Sequence, residues 1–365
     1  MYIAFDGYSA VYDNKQGDNY SRQLIDALSA LYEHNQHFIY SPTLIDNSYL
    51  TPIIIRRNVH AKVQRNKLSK FMWRNVGGVL QSVKRHRIEV FHGLCSRLPL
   101  RIGKADVKSV VTFEDLGEIN TAWKRFMARK ACAHAHAVVA FTQQARQELI
   151  THYGANADNV IVIPPAIPDI FIEHAKESFI KNAREHYKLP EKYILIDSFI
   201  DSNSHALEVL KAIKLTEDET LGLVLNGHCD HNYMKQLKEW AASHGMTNRL
   251  VHVRKIRTVL LPGVTADALI SIVPERSGAF PYGATRAQAA GTPLIAAPQL
   301  NEIAGDGAMY IDLSNVEDVK MAITRILADD NKRTQLIADG HVNAQNYTTQ
   351  AMAQAHIDLY KNLLG

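Results

Sequence analysis

The chain is poor in the residues that would staple it or anchor it in a bilayer. Three cysteines in 365 residues, Cys95, Cys132 and Cys229, are too few and too scattered for a disulfide framework or a zinc site. Each reads as a small core residue in a reducing compartment. No run of about 18 uninterrupted apolar residues occurs. The opening MYIAFDGYSAVYDN lacks a basic segment ahead of an apolar one. The expectation is therefore a cytoplasmic protein that neither crosses a membrane nor carries a secretion signal. Low-complexity tracts and repeat periods are missing as well, which excludes a solenoid or a disordered chain. No G-x-G-x-x-G follows an apolar strand, which argues against a dinucleotide dehydrogenase. Acidic residues are absent from one stretch: Asn47 to Ile88 contains no Asp or Glu but ten lysines and arginines, from Arg56 to Arg87, although the net charge is only +4. Such a block attracts an anionic partner, and residues 56–87 are expected to offer a peripheral surface to an anionic membrane, with Phe71 and Trp73 at the headgroups. A solvated helix face over an apolar stripe is the alternative. Nucleic acid is not expected, because no recognition motif accompanies the charge.

What is present is an ordinary globular composition, 46% hydrophobic and 21% charged, in a chain long enough for two domains of roughly 150 to 200 residues. Apolar strands alternate with helical spacing throughout. In the first half, strands are expected at Tyr2 to Phe5, Phe38 to Tyr40, Ile53 to Ile55, Ile88 to Phe91, Ser109 to Thr112, Ala137 to Ala140 and Val160 to Ile163. Helices are expected after Asn19, from Leu68 to Lys84, from Trp123 to His134 and from Thr142 to Tyr153. Pro164, Pro165 and Pro168 then break the pattern. Strands resume at Tyr193, Leu221, Leu250, Ala268, Pro293 and Met309, with helices around Ser204 to Ile213, Tyr233 to His244, Ala284 to Ala290 and Val316 to Ala328. The implied organisation is a domain over 1–170, a linker over 171–190, a second domain over 191–345, and a helix over 346–365 that packs back on the first.

The stretch that carries most chemistry runs from Pro274 to Ile295, PERSGAFPYGATRAQAAGTPLI. It follows an apolar strand, passes a glycine-containing loop, opens a helix and returns through Gly-Thr-Pro to another strand. Loop amides at a helix N-terminus suit a diphosphate, whose charge the macrodipole favours. This segment resembles the nucleotide-sugar-binding region of glycosyltransferase family 4. Further matches in the family's order are Asn19-Tyr20-Ser21-Arg22, Phe91-His92-Gly93-Leu94, Val111 to Leu116, Arg129 to Cys132, Val160 to Pro164 and Asn301 to Asp306. The resemblance covers nearly the whole chain. It implies an α/β protein of GT-B architecture, two Rossmann-like doubly wound domains facing an interdomain cleft. It also implies retaining, metal-independent transfer of a hexose from a nucleotide-sugar, with no cofactor.

The resemblance also locates departures at the donor site. Two glutamates of the family align here with Gly278 and Arg286. An arginine, having donors only, cannot accept from ribose hydroxyls but could meet a phosphate. The family's Arg-Lys-Asn run, which neutralises the diphosphate, is replaced by Asp201-Ser202-Asn203-Ser204. Arg254, Lys255, Arg257 and Arg276 are substitute cations or ordinary surface residues. Glu114, ahead of Asp115-Leu116, stands where the family has a histidine beside the transferred sugar. A carboxylate there would support developing positive charge, accept a hydroxyl hydrogen bond, or serve no function. The candidate residues are thus Glu114, Asp115 and His92 for catalysis; Gly278, Phe280, Arg276, Arg286, Ser202, Asn203 and Gly227 for the donor; and Gly17, Asn19 and Tyr20 in an acceptor-side loop. His92 and Gly17 also read as structural residues.

The function implied is hexose transfer to a glycan or lipid-linked acceptor in cell-surface polysaccharide synthesis, by a cytoplasmic protein peripheral on the inner face of the membrane. The alternative is an inactive homologue acting as binding or scaffolding partner of an active glycosyltransferase. A sugar-nucleotide epimerase of similar architecture ranks below both.

Overall fold

The computed structural model of the chain describes every residue except 13–18, 42–49, 64–71, 74–77, 173–176 and 275–277. The chain sorts into two units. Met1–Ala166, residues 278–280 and the terminal Thr349–Gly365 form the first, and the remainder of Ile167 to Thr348 forms the second.

The first unit is built on seven strands: β1 (Tyr2–Asp6), β2 (Gln36–Ser41), β3 (Val59–Val63), β4 (Val90–Gly93), β5 (Lys108–Phe113), β6 (Ala137–Ala140) and β7 (Val160–Val162). They lie in the order β3-β2-β1-β4-β5-β6-β7, all parallel. A parallel sheet is covered on both faces, so its strands read as continuous apolar runs; Val110, Val111, Val138 and Val139 are fully enclosed. The expected strand at Ile53 to Ile55 is instead a helical turn, Thr51–Ile54, with Pro52 in its first turn. Proline pre-sets φ for a helix start and lacks the N–H a strand would need. The edge strand forms six residues later, at Val59. Of the helix expected from Leu68 to Lys84, residues 68–71 and 74–77 lie outside the described residues, Phe71 among them. The described part is the helix Val79–Arg85, whose Val79 and Val83 are buried. Trp73 is 5% exposed and packs in the same core, which corrects its expected place at a membrane surface. Arg56 is likewise tied inward, to Asp26 at 2.6 Å and Ser29 at 2.6 Å.

The terminal helix Thr349–Leu364 packs against the helix Tyr20–Leu31. A buried polar chain runs between the terminal helix and the sheet. His92 shares hydrogen bonds with the Tyr360 hydroxyl through Nδ1 (2.6 Å) and with Thr112 Oγ1 through Nε2 (2.7 Å). The Tyr20 hydroxyl meets His356 Nε2 at 2.9 Å, and His356 Nδ1 donates to the Met352 carbonyl at 2.8 Å. All five side chains are at most 1% exposed.

The second unit has six strands: β8 (Lys192–Asp197), β9 (Leu221–Asn226), β10 (Leu250–Val253), β11 (Ile270–Val273), β12 (Leu294–Ala296) and β13 (Met309–Tyr310). Their order is β10-β9-β8-β11-β12-β13, again all parallel. Ile194, Ile196, Leu223, Leu225, Ile270 and Ile272 pack against Leu210, Ile213, Ile323 and Ile326. Among the described residues four helices of this unit escape the sequence pattern: Glu177–Tyr187, Leu261–Asp267, Asn301–Ala304 and Asp330–Ala344. The first falls in the stretch expected to be a linker and buries only Ala183 fully. The last is polar around most of its circumference and is started by Asp329, whose side chain accepts from the Lys332 amide at 2.9 Å.

Two outcomes are expected from the buried polar chain. Tyr360→Phe leaves a His92 nitrogen unpaired and should lower the unfolding free energy by about 1 to 3 kcal/mol in urea titration. Burial holds His356 down to about 4 from 6.5, and His92 is also lowered, by burial and by the neighbouring His356. The unfolded chain therefore binds more protons than the folded one in that window. Stability should be level above about pH 6.5 and fall progressively towards pH 4, by on the order of 3 kcal/mol from His356 alone, in urea midpoints measured against pH.

Candidate functional site

In an open parallel sheet, ligands bind beyond the carboxyl ends of the strands, where the strand order reverses. That point lies between β1 and β4 in the first unit and between β8 and β11 in the second.

In the first unit the exits of β1, β4 and β5 enclose a cavity of about 320 Å³. Tyr8 and Ser9 line it after β1, Leu94 to Arg97 after β4, and Glu114, Asp115 and Glu118 after β5, with Trp123, Lys124 and Met127 from the helix Ala122–His134. Glu114 is the first residue past β5 and accepts from Ser21 Oγ at 3.3 Å. Asp115 Oδ1 accepts from the Gly117 amide at 2.8 Å and so caps the short turn Leu116–Glu118. Lys124 Nζ donates to the Glu118 carbonyl at 2.8 Å, and Arg97 Nε to the Cys95 carbonyl at 3.4 Å. Trp123 is 43% exposed. Carboxylates that accept from hydroxyls, two cations and an aromatic face together suit a polyhydroxylated ligand.

Residues 278–280 belong to this unit. Asp115 bridges Ala279 in antiparallel fashion, and the Leu116 amide donates to the Gly278 carbonyl at 2.9 Å. Gly278 has φ +81°, and a Cβ on it would lie 2.8 Å from the Gly117 nitrogen. A glutamate at this position would carry both a left-handed backbone and a clash, a physical reason for glycine here. Phe280 packs edge-on against Phe141 with centroids 6.2 Å apart.

The structure gathers Glu114 and Asp115 at the cavity and places His92, Tyr20 and Asn19 elsewhere. His92 is enclosed, with both ring nitrogens engaged, so it joins β4 to the terminal helix rather than lining the cavity. Tyr20 is in the same polar chain, and Asn19 caps its helix by accepting from the Arg22 amide at 2.8 Å. Gly17 lies outside the described residues.

In the second unit the strand ends carry a charge cluster that sequence reasoning missed. Asp197 ends β8 and Asn226 ends the neighbouring β9. Arg286, on the helix Tyr282–Ala289, donates from Nη1 to Asp197 Oδ2 at 2.8 Å, and Asn226 Nδ2 donates to Asp197 Oδ1 at 2.7 Å. The ion-paired side chains are 8% and 10% exposed. Phe171 and Tyr282 flank the guanidinium, their centroids 5.6 and 5.2 Å from its carbon. Arg286, expected from the sequence to be able to meet a phosphate, is here ion-paired with Asp197 through Nη1. A polar residue ending each of two apolar strands, YILID and LGLVLN, was the available signal. Gly227 follows Asn226 with φ +143°, and a Cβ there would fall 1.9 Å from the Ser198 carbonyl oxygen. Ser202 and Asn203 form a short turn in which Asp201 Oδ1 accepts from the Asn203 amide at 3.0 Å. Arg254 donates to His228 at 3.2 Å and Arg257 to His186 at 3.0 Å. Arg276 lies outside the described residues.

Two doubly wound parallel units, one with an aromatic and carboxylate cavity at its switch point, define a chain of the GT-B class. A family profile described as Glycosyltransferase Family 4 matches residues 18–169, and one described as Glycosyl transferases group 1 matches residues 179–341. The chain is a glycosyltransferase family 4-like protein. It is 27% identical to a D-inositol 3-phosphate glycosyltransferase from Xylanimonas cellulosilytica over 250 residues, 62% of this chain and 57% of that relative. It therefore spans less than two thirds of that protein's length. In fold it is similar to a glycosyltransferase from Rickettsia africae ESF-5, with TM-score 0.75, 17% identity, and coverage of 100% of this chain and 98% of that one. It is also similar to Anabaena Alr3699/HepE solved in complex with UDP, with TM-score 0.75, 16% identity, and coverage of 99% and 100%. Among the described residues no helix is long and apolar enough to cross a membrane.

The Asp197 pair has a testable consequence. Arg286→Ala leaves a buried carboxylate without its cation and should cost about 3 to 5 kcal/mol of stability, while Asp197→Leu combined with Arg286→Met should cost much less, both read by urea unfolding.

Proposed function

We propose that the protein transfers a hexose from a nucleotide-sugar to a glycan or lipid-linked acceptor with retention, in the making of a cell-surface polysaccharide, and needs no resident cofactor. The observation that carries this reading is the first-unit cavity, where Glu114, Asp115 and Trp123 converge at the carboxyl ends of β1, β4 and β5. In this reading the cavity takes the acceptor sugar. Glu114 stabilises positive charge developing at the transferred carbon, and Asp115 holds the loop that carries it. The bond from that carbon to the diphosphate oxygen breaks, a bond to the acceptor oxygen forms on the same face, and the acceptor proton passes to the leaving diphosphate. The UDP held by the Anabaena structure supports a nucleotide-linked donor.

A second reading, a non-catalytic partner of an active transferase, is favoured by one observation. The cation at position 286 is ion-paired with Asp197, which partly offsets its charge. Calorimetric titration with UDP-, GDP- and ADP-sugars separates the two. Micromolar binding of one donor, with acceptor-dependent release of its nucleotide diphosphate, supports transfer; no binding of any supports the partner. Arg286→Ala is a poor probe here because it destabilises the unit. Glu114→Gln is the better variant: it should leave donor affinity unchanged and lower turnover about 10²- to 10³-fold in a nucleotide-release assay.

A further inference from the structure

We infer that the helix Ala122–His134 is a docking surface for an anionic phospholipid bilayer, with Trp123 and Phe126 at headgroup level and Arg129 and Lys130 against the lipid phosphates. The helix turns Met127, Ala128, Ala131 and Cys132 into the first-unit core. Its opposite face carries two large aromatic side chains, Trp123 and Phe126, each 43% exposed and tilted together with centroids 5.5 Å apart. An aromatic pair left in water beside cations is the composition that partitions to a membrane interface. The helix holds Lys124, Arg125, Arg129 and Lys130 and no acidic residue. Two other surface helices of this chain are built differently. In Val316–Ala328, Lys320 pairs with Glu317 at 3.1 Å, and in His231–Ser243, Lys235 pairs with Glu239 at 3.8 Å. On Ala122–His134 the guanidinium groups of Arg125 and Arg129 donate only to main-chain carbonyls, those of Asn120 and His152. Among the described residues neither makes an ion pair, although Glu148 of the adjacent helix lies near Tyr153 beside them, so their charge is available to phosphates. Beside them Phe126, Arg129, Lys130, His152 and Tyr153 border an open concavity of about 420 Å³, room for a lipid headgroup.

The same helix contributes Trp123 and Lys124 to the cavity. If that cavity takes the acceptor, as the functional reading has it, the bilayer contact brings a lipid-linked acceptor to its mouth. The bilayer contact itself does not depend on that reading. It also moves the expected membrane surface away from residues 56–87, where Trp73 is buried and Arg56 is paired with Asp26.

The test is co-sedimentation of the full chain with phosphatidylcholine vesicles, with and without phosphatidylglycerol. Binding is expected only with the anionic lipid and should fall steeply with salt. Arg129→Glu with Lys130→Glu should weaken it at least about 30-fold, and Phe126→Ser roughly tenfold. Both variants alter exposed groups, so their Tm and donor titrations should match the unaltered chain, which keeps this inference separable from the donor-binding reading. Equal binding to neutral vesicles, no binding to either kind, or undiminished binding by the charge-reversed variant would each overturn the inference. So would binding of free glycerophosphate without any binding of vesicles.

Discussion

A parallel strand cannot be joined to its neighbour by a tight turn, so each must be followed by a crossover segment, and each crossover covers a face of the sheet. That constraint organises both units of this protein. It forces the strands to be apolar on both faces, which leaves their ends as the places where polar chemistry can be held. It gathers those ends at one edge of each sheet, and the reversal of strand order opens a gap in the covering layer there. The cavity lined by Glu114 and Asp115 and the cluster of Asp197, Asn226 and Arg286 occupy equivalent positions for this reason.

The two switch points differ in what they do with charge. In the first unit, carboxylates and cations border an accessible cavity, where Glu114 accepts from Ser21, Asp115 from the Gly117 amide, and Lys124 donates to the Glu118 carbonyl. In the second, opposite charges are close enough, and dry enough, to neutralise each other. A buried pair contributes little net stability, yet either member alone is costly to leave buried. Loss of either Arg286 or Asp197 alone is therefore costly, and any donor site built here meets a cation whose charge Asp197 already partly offsets. Gly278 is constrained in a similar way by its own backbone and by Gly117.

Distant segments complete the first unit. The last sixteen residues of regular structure pack on a helix near the start of the chain through the His92, Tyr360, Tyr20 and His356 chain. Such a buried array is favourable only when every member is satisfied, so it specifies one docking of the terminal helix. The outward face of Ala122–His134 shows the opposite economy of partners, cations and aromatics without acids, and so is shaped for a surface that supplies the anions.

Most strands and several helices were legible because apolar periodicity is a local property: Ala137 to Ala140 and Thr349 to Leu364 carry it in their own residues. The order of family motifs was equally local and sufficed for the fold class. Ile53 to Ile55 misled because three β-branched residues fit either period and Pro52 decided between them. Asp330–Ala344 was silent because only its Leu336, Gly340 and Ala344 are buried, and Glu177–Tyr187 because its charged residues read as a linker. Of the candidate site, the sequence by itself determined that Glu114 and Asp115 follow an apolar strand, and hence that they stand at a strand's carboxyl end. Only the tertiary structure decided that His92 is enclosed, that Trp73 is core and Trp123 is surface, and that Arg286 meets Asp197. Those outcomes depend on which groups the sheet order brings within a few ångströms across separations of 89 residues for the ion pair and 268 for His92 and Tyr360, and no local pattern encodes that distance.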